Sequence, residues 1–193
     1  MDDAGTADAV RTRVLDAAEE LFYGRGVQAV GMDAVRSAAG VTLRRLYQLF
    51  PSKDALVEAY LLRRDRRWRQ SLADHVDATA VAPEERVMAV FDWLRRWFEE
   101  PGFRGCAFVN SFGELGAVSP EVAAAARHHV AEFQRYVTGL VVAAGGDATA
   151  GAQVTLLAEG AITTAAVSGT SRPAREAGEA ARLLLRAHIG IKR

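Results

Sequence analysis

The sequence holds one cysteine, Cys106, so no intrachain disulfide can form and no metal site can be built on cysteine. Only four histidines are present, and two of them, His128 and His129, are adjacent. Neighbours on a helix point about 100° apart, which keeps the pair from gripping one metal ion, and a surface or interface role suits them better. No cluster of His, Cys and carboxylates has ligand spacing, no glycine-rich phosphate loop is present, and no nucleophile is paired with a base. The sequence therefore predicts no enzyme, no cofactor and no metal. A long hydrophobic run is missing too. Between Asp147 and Arg172 the one charge is Glu159, but Thr149, Gln153, Thr155, Thr163, Thr164 and Ser168 dilute the stretch, which reads as a helix buried against protein rather than a membrane span. The opening MDDAGTAD lacks the basic-then-apolar pattern of a signal peptide, giving the expectation of a cytoplasmic protein with no membrane partner and a disordered start over about residues 1–8. Cys106 sits among apolar residues with Arg104 as its nearby cation, a setting for an inert packing thiol more than for a redox sensor.

Net charge is absent as well, since 24 basic residues cancel 24 acidic ones. The cancellation hides an asymmetry. Residues 9–70 carry twelve Arg and Lys against seven Asp and Glu, an excess of five that the rest of the chain reverses. The basic end is the candidate nucleic-acid surface, although an excess of this size also suits a solvated face.

What the sequence does have is helical periodicity in a chain of 193 residues, half of them apolar, long enough to bury a core without staples. Val14, Ala17, Ala18, Leu21 and Phe22 mark the apolar stripe of a first helix that Gly24 and Gly26 stop. Met32 to Ala39 makes a short second helix, Gly40 supplies a residue able to take positive φ, and Thr42 is a good N-cap for a third helix. Two short helices around a tight glycine turn describe a helix-turn-helix. Leu43, Leu46, Tyr47 and Phe50 fall at i, i+3, i+4 and i+7 and are expected to pack on the first two helices. Arg44, Arg45 and Gln48 then point outward, two guanidiniums suited to guanine edges or phosphates and an amide suited to adenine.

Gly40-Val41-Thr42, Leu46-Tyr47, Phe50, Ser52-Lys53-Asp54 and Leu56, together with Val14 to Ala18, Leu21-Phe22 and Gly26, resemble the signature of the TetR family from Leu15 to Tyr60. The resemblance implies that Thr42, Tyr47 and Lys53 contact phosphates while Arg44, Arg45 and Gln48 face bases. Lys53 also has a physical rationale, because it opens a fourth helix beside the reading helix. Three positions depart from the family pattern. Gly31 stands where Ser or Thr usually caps the second helix, weakening that cap by ~0.5 kcal/mol or less. Arg45 replaces a small residue and Leu49 a frequent His or Tyr, so no relative's base preference transfers.

After Lys53 a helix continues through Arg63, Arg64, Arg66, Arg67 and Arg69, a stripe that suits solvent better than a second DNA site, into Trp68 and Leu72. Pro83 starts the next helix, with Val87, Val90, Phe91, Leu94, Trp97 and Phe98 on one face. In the glycine-rich stretch 102–116, and around it, Trp93, Trp97, Phe108, Phe112 and Phe133 with Asn110 as a polar anchor could line a cavity for a small, mostly apolar molecule. Taken singly, aromatics of this kind fill cores more often than they line cavities. A helix from Pro120 to about Ala143 carries the two histidines. Two last helices, Ala152 to Val167 and the stretch after Pro173 with Ala177, Ala181, Leu184, Leu185 and His188, present faces that want another helix.

These observations predict an all-α protein. Residues 1–52 form a helix-turn-helix DNA-binding domain, and residues 53–193 form a helical regulatory and dimerisation domain linked to it by the helix from 53. The family resemblance implies a ligand-responsive regulator, usually a repressor, that binds a double-stranded DNA operator as a homodimer through the two C-terminal helices and is released by a small-molecule effector. A pseudo-palindromic operator follows from the two-fold symmetry. Two alternatives stay open: a helical protein-interaction module that does not read DNA, and a small-molecule-processing enzyme.

Overall fold

The computed structural model describes residues 3–190, and every regular element among them is an α-helix. In chain order these are α1 (Asp3–Arg25), α2 (Met32–Ala39), α3 (Leu43–Leu49), α4 (Lys53–Thr79), α5 (Pro83–Phe98), α6 (Ala107–Leu115), α7 (Pro120–Ala143), α8 (Ala148–Ser168) and α9 (Arg172–Gly190). The bounds expected for the second helix and for the Pro120 helix hold. The chain groups into two compact units, one of residues 1–65 and 107–127, the other of 66–106 and 128–193.

In the first unit α1 packs on α2, and α2 on α3. Val14, Ala18 and Phe22 of α1 are buried, as are Val35 of α2, Leu46 of α3 and Leu56, Val57, Tyr60 and Leu61 of α4. Phe22 and Tyr60 meet ring to ring at 5.8 Å. Ion pairs reinforce that seam, Arg63 to Asp16 and Glu19 and Arg64 to Glu19, all at 2.8 Å, and the Arg64 guanidinium lies 4.0 Å above the Tyr23 ring. These contacts explain why the unit runs past residue 52: the first three turns of α4 bury their apolar side against α1. Residues 3–8, expected to be disordered, are instead the opening turns of α1. Alanine, frequent in this stretch, is the strongest helix former, which the reading by polarity alone passed over. Residues 1 and 2 lie outside the described part.

The second unit is built on α5, α8 and α9, which pack on one another. Asp147 caps α8 by accepting the Ala150 amide at 2.9 Å, so α8 starts four residues before the expected Ala152. Gly151 lets α8 approach α7 closely, since a Cβ there would lie 2.8 Å from the Thr138 Cα. Among the described residues no helix is long and apolar enough to cross a membrane. Along α8, Val154, Ala158, Ala161, Ile162 and Ala165 are buried, whereas Leu156 and Val167 are exposed. The low-charge stretch is thus covered on one side only within the single chain.

Candidate functional site

The geometry of α3 begins with Gly40, whose φ of +63° and ψ of +39° turn the chain out of α2. Val41 and Gly40 return their amides to the end of α2, Val41 N–H to the Arg36 carbonyl at 3.2 Å. Thr42 then caps α3: its Oγ1 accepts the Arg45 amide at 3.1 Å. Gly31 offers α2 no side-chain cap, as its lack of a side chain requires. A backbone clamped at both ends holds the seven-residue α3 against the core by Leu46 and Phe50, 0% and 2% exposed. At the far end, the Arg11 guanidinium sits 4.5 Å above the Phe50 ring.

The expected packing face of α3 needs correction. Leu43 and Tyr47 are each 45% exposed. Successive residues rotate by about 100°, so with Leu46 and Phe50 at the centre of the buried face, half-buried Leu49 flanks it on one side and Leu43 and Tyr47 fall at the opposite rim. The outward surface is therefore Leu43, Arg44, Tyr47 and Gln48, an apolar edge beside a basic and amide-bearing centre. Arg45 is half-buried, and its Nη1 donates to Gln48 Oε1 at 3.5 Å. Thr42 is exposed with its oxygen already accepting, which leaves its hydroxyl proton to donate. Lys53 is half-buried in the first turn of α4, next to Ser52, whose Oγ accepts the Ala55 amide at 3.1 Å.

The same unit contains an element that the sequence reading passed over. The stretch 102–116 includes α6, and its Glu114 reaches the loop between α1 and α2: the carboxylate accepts the Val27 amide at 3.1 Å and the Gln28 amide at 2.7 Å. Phe108 of α6 is buried, while Asn110 and Phe112 are exposed.

The other expected aromatics belong to the second unit. Trp93, Trp97 and Phe133 surround Trp68 at centroid distances of 5.0, 5.7 and 5.2 Å, all near perpendicular. His129 joins them edge-on at 5.0 Å and is 2% exposed, so it is a core residue, not a surface one. Trp68 fills the space these rings enclose. Its place was legible, because Leu61, Asp65, Trp68, Leu72 and Val76 recur at helical spacing along α4 and all five are buried. Trp93 Nε1 donates to Ser71 Oγ at 3.2 Å. Cys106 is buried. Among the described residues no three His, Cys, Asp or Glu side chains gather as a metal-ligand set.

Comparison with known proteins agrees with this geometry. The model of "Bacterial regulatory proteins, tetR family" matches residues 14–60, which run from α1 through α3 into α4. An HTH-type transcriptional regulator of Mycobacterium tuberculosis is 40% identical over 76 residues, 39% of this chain and 37% of that protein. The regulator UidR of Escherichia coli is 37% identical over 68 residues, 35% of each chain. The chain thus spans little more than a third of the length of these relatives. The crystal structure of a TetR-family transcriptional regulator from Streptomyces coelicolor superposes with a TM-score of 0.85 at 31% identity, covering 93% of this chain and 96% of that one. With a reading helix capped and turned as described and a likeness that runs nearly end to end, this chain belongs to the TetR family of transcriptional regulators.

Proposed function

We propose that the protein is a DNA-binding transcriptional regulator that acts in the cytoplasm as a homodimer and responds to a small-molecule effector. The observation that carries the reading is the outward face of α3. Arg44 and Gln48 stand exposed on a helix whose opposite face, Leu46 and Phe50, is fully packed. A guanidinium fork can bind guanine O6 and N7, and an amide can bind adenine N6 and N7. Leu43 at the rim adds an apolar contact suited to a thymine methyl. Arg45, half-buried and bonded to Gln48, orients that amide and reaches the groove edge. Thr42, Tyr47 and Lys53 surround this face and supply phosphate contacts that set its register.

The exposed sides of α8 and α9 support the dimer. Leu156, Gly160, Thr163 and Val167 form a stripe at i, i+4, i+7 and i+11, with Leu156 71% and Val167 86% exposed. Leu183 of α9 is exposed as well. Large apolar side chains left in a row want a partner surface. Two-fold pairing through α8 and α9 presents two copies of α3 to successive major grooves, roughly 34 to 36 Å or a multiple apart, and calls for a pseudo-palindromic operator. An effector that favours a different spacing of the two heads releases the DNA, which makes the protein a repressor.

Selection of genomic fragments on the purified protein at moderate salt, followed by sequencing, tests the reading. Enrichment of a palindrome supports it. An intact dimer that enriches nothing would return the weight to an interaction module or an enzyme.

A further inference from the structure

Along α4 and α7, within the second unit, lies a cavity of about 460 Å³, a size suited to a small molecule. Its charge is lopsided. Arg66 and Arg69 of α4 and Arg135 of α7 line it, against the single carboxylate of Glu132. That carboxylate already serves Arg69, at 3.6 Å, and Arg135. Arg66 is exposed and makes no ion pair among the described residues. Leu72 and Phe133, both buried, close the bottom of the cavity, and Phe133 in turn rests edge-on against Trp68. A shallower groove shares Arg66 and Gln70 with it and extends it along α4. Arg66 therefore stands without an acidic partner among the described residues, beside Arg69 and Arg135 which share Glu132, and the reachable apolar surface of the cavity is that of half-buried Ala73 and Tyr136.

We propose that this groove between α4 and α7 is the effector site, and that it takes a small amphipathic anion, an aryl or alkyl carboxylate. The proposal rests on the regulator reading above. The carboxylate is held by Arg66, with Arg135 shared between it and Glu132, and the apolar body lies against Ala73 and the Tyr136 ring, above the buried Leu72 and Phe133. Guanidiniums present paired donors whose spacing matches a carboxylate, and such charge-assisted bonds are stronger than neutral ones. A neutral ligand of the same shape would cover Arg66 without giving it a partner, at a desolvation cost. The concave form and the aromatic floor favour a small anion over a DNA backbone, which needs open basic surface and no apolar floor.

Calorimetry on the full-length protein without DNA tests this, using benzoate, 1-naphthoate and octanoate, with 1-naphthylmethanol as the neutral control. The same titrations are run on the double variant Arg66→Gln, Arg135→Gln, whose folding is checked by circular dichroism melting; both side chains are exposed. The expected result is saturable binding of at least one carboxylate, with the alcohol weaker by about tenfold or more and the double variant losing about tenfold or more for carboxylates alone. Absence of binding by all three carboxylates at millimolar concentration would overturn the proposal. So would equal binding of the alcohol, or carboxylate binding that the double variant leaves unchanged. A loss of salt-dependent duplex affinity in the double variant, with no carboxylate bound by the parent protein, would assign the arginines to the phosphate backbone and overturn it as well. Because no titration contains DNA, failure here leaves operator selection readable, and failed operator selection leaves these titrations readable.

Discussion

Gln28 donates two hydrogen bonds to Glu114: its backbone amide to the carboxylate at 2.7 Å, and its side-chain amide to the backbone carbonyl at 2.5 Å. The second carboxylate oxygen takes the Val27 amide at 3.1 Å. One side chain of α6 thus satisfies two backbone donors in the loop that joins α1 to α2. An alanine at 114 removes the acceptor of both, and Val27 is buried at 1% exposure. The expected cost is about 1–3 kcal/mol, since a charged acceptor is lost and the buried Val27 donor is stranded, while the exposed Gln28 amide can turn to water. Chemical denaturation measures it, and faster hydrogen exchange at the Val27 and Gln28 amides localises it. Gln28→Ala, which removes only the side-chain bond at the surface, is expected to cost less than half as much.

The reading face makes a second, graded prediction. Arg44→Ala and Gln48→Ala each remove an exposed group, Gln48 giving up only its long, exposed bond from Arg45, so each is expected to leave the melting temperature nearly unchanged while lowering affinity for the selected operator by about 1–3 kcal/mol. Replacing Arg44 and Arg45 together should abolish specific binding. Leu43→Ala should relax preference for thymine at one position of each half-site while sparing overall affinity more than Arg44→Ala does. Fluorescence anisotropy with operator variants checks all four, and unaltered affinity in the Arg44, Arg45 double variant would sink the groove assignment.

Much of the first unit was legible in the sequence because its signals are local. The Gly40 turn, the Thr42 cap and the limits of α2 depend on residues within a few positions of one another, and the structure places them as read. Leu43 and Tyr47 were misplaced because a four-residue periodic match on a two-turn helix does not fix where the centre of the buried face lies; half-buried Leu49 shifts it. The α6 helix was missed because Gly105, Gly113 and Gly116 read as loop, and nothing local indicates that Glu114 will meet residues 27 and 28 more than eighty positions away. Trp93, Trp97 and Phe133 do come together, but around Trp68, whose helical register had to be followed across the basic run to be seen. The arginine-lined groove combines residues of α4 and α7, a pairing that periodicity within either helix cannot disclose.

The α8 stripe predicts how the assembly responds to charge. Leu156→Glu together with Val167→Glu puts carboxylates where the proposed partner helix lies, while in the single chain both side chains already face solvent. The secondary structure and core should survive, with the protein shifting from dimer to monomer in analytical ultracentrifugation. Operator affinity should fall steeply with it, because one head then binds without its neighbour. A variant that sediments as a dimer would exclude this face from the interface.

Glu159 adds a pH dependence whose sign follows from its surroundings. It is the one charge of α8; burial pushes its carboxyl above its ordinary value of 4.5, and Oε1 is buried without a hydrogen-bond partner among the described residues. The folded protein therefore holds the proton more tightly than the unfolded chain does. Protonation favours the folded state below the ordinary value, and that contribution is lost as pH rises through the raised folded value. At neutral pH the charged form carries the full desolvation cost, which Glu159→Gln removes while keeping the shape. The variant is expected to be more stable than the parent at pH 7, with the difference shrinking as pH falls toward about 4.5, the ordinary carboxyl range. Thermal melts of both proteins over that window decide the matter: a gap that stays constant with pH would mean the carboxylate is solvated or paired in the assembled protein, and the burial argument would fail.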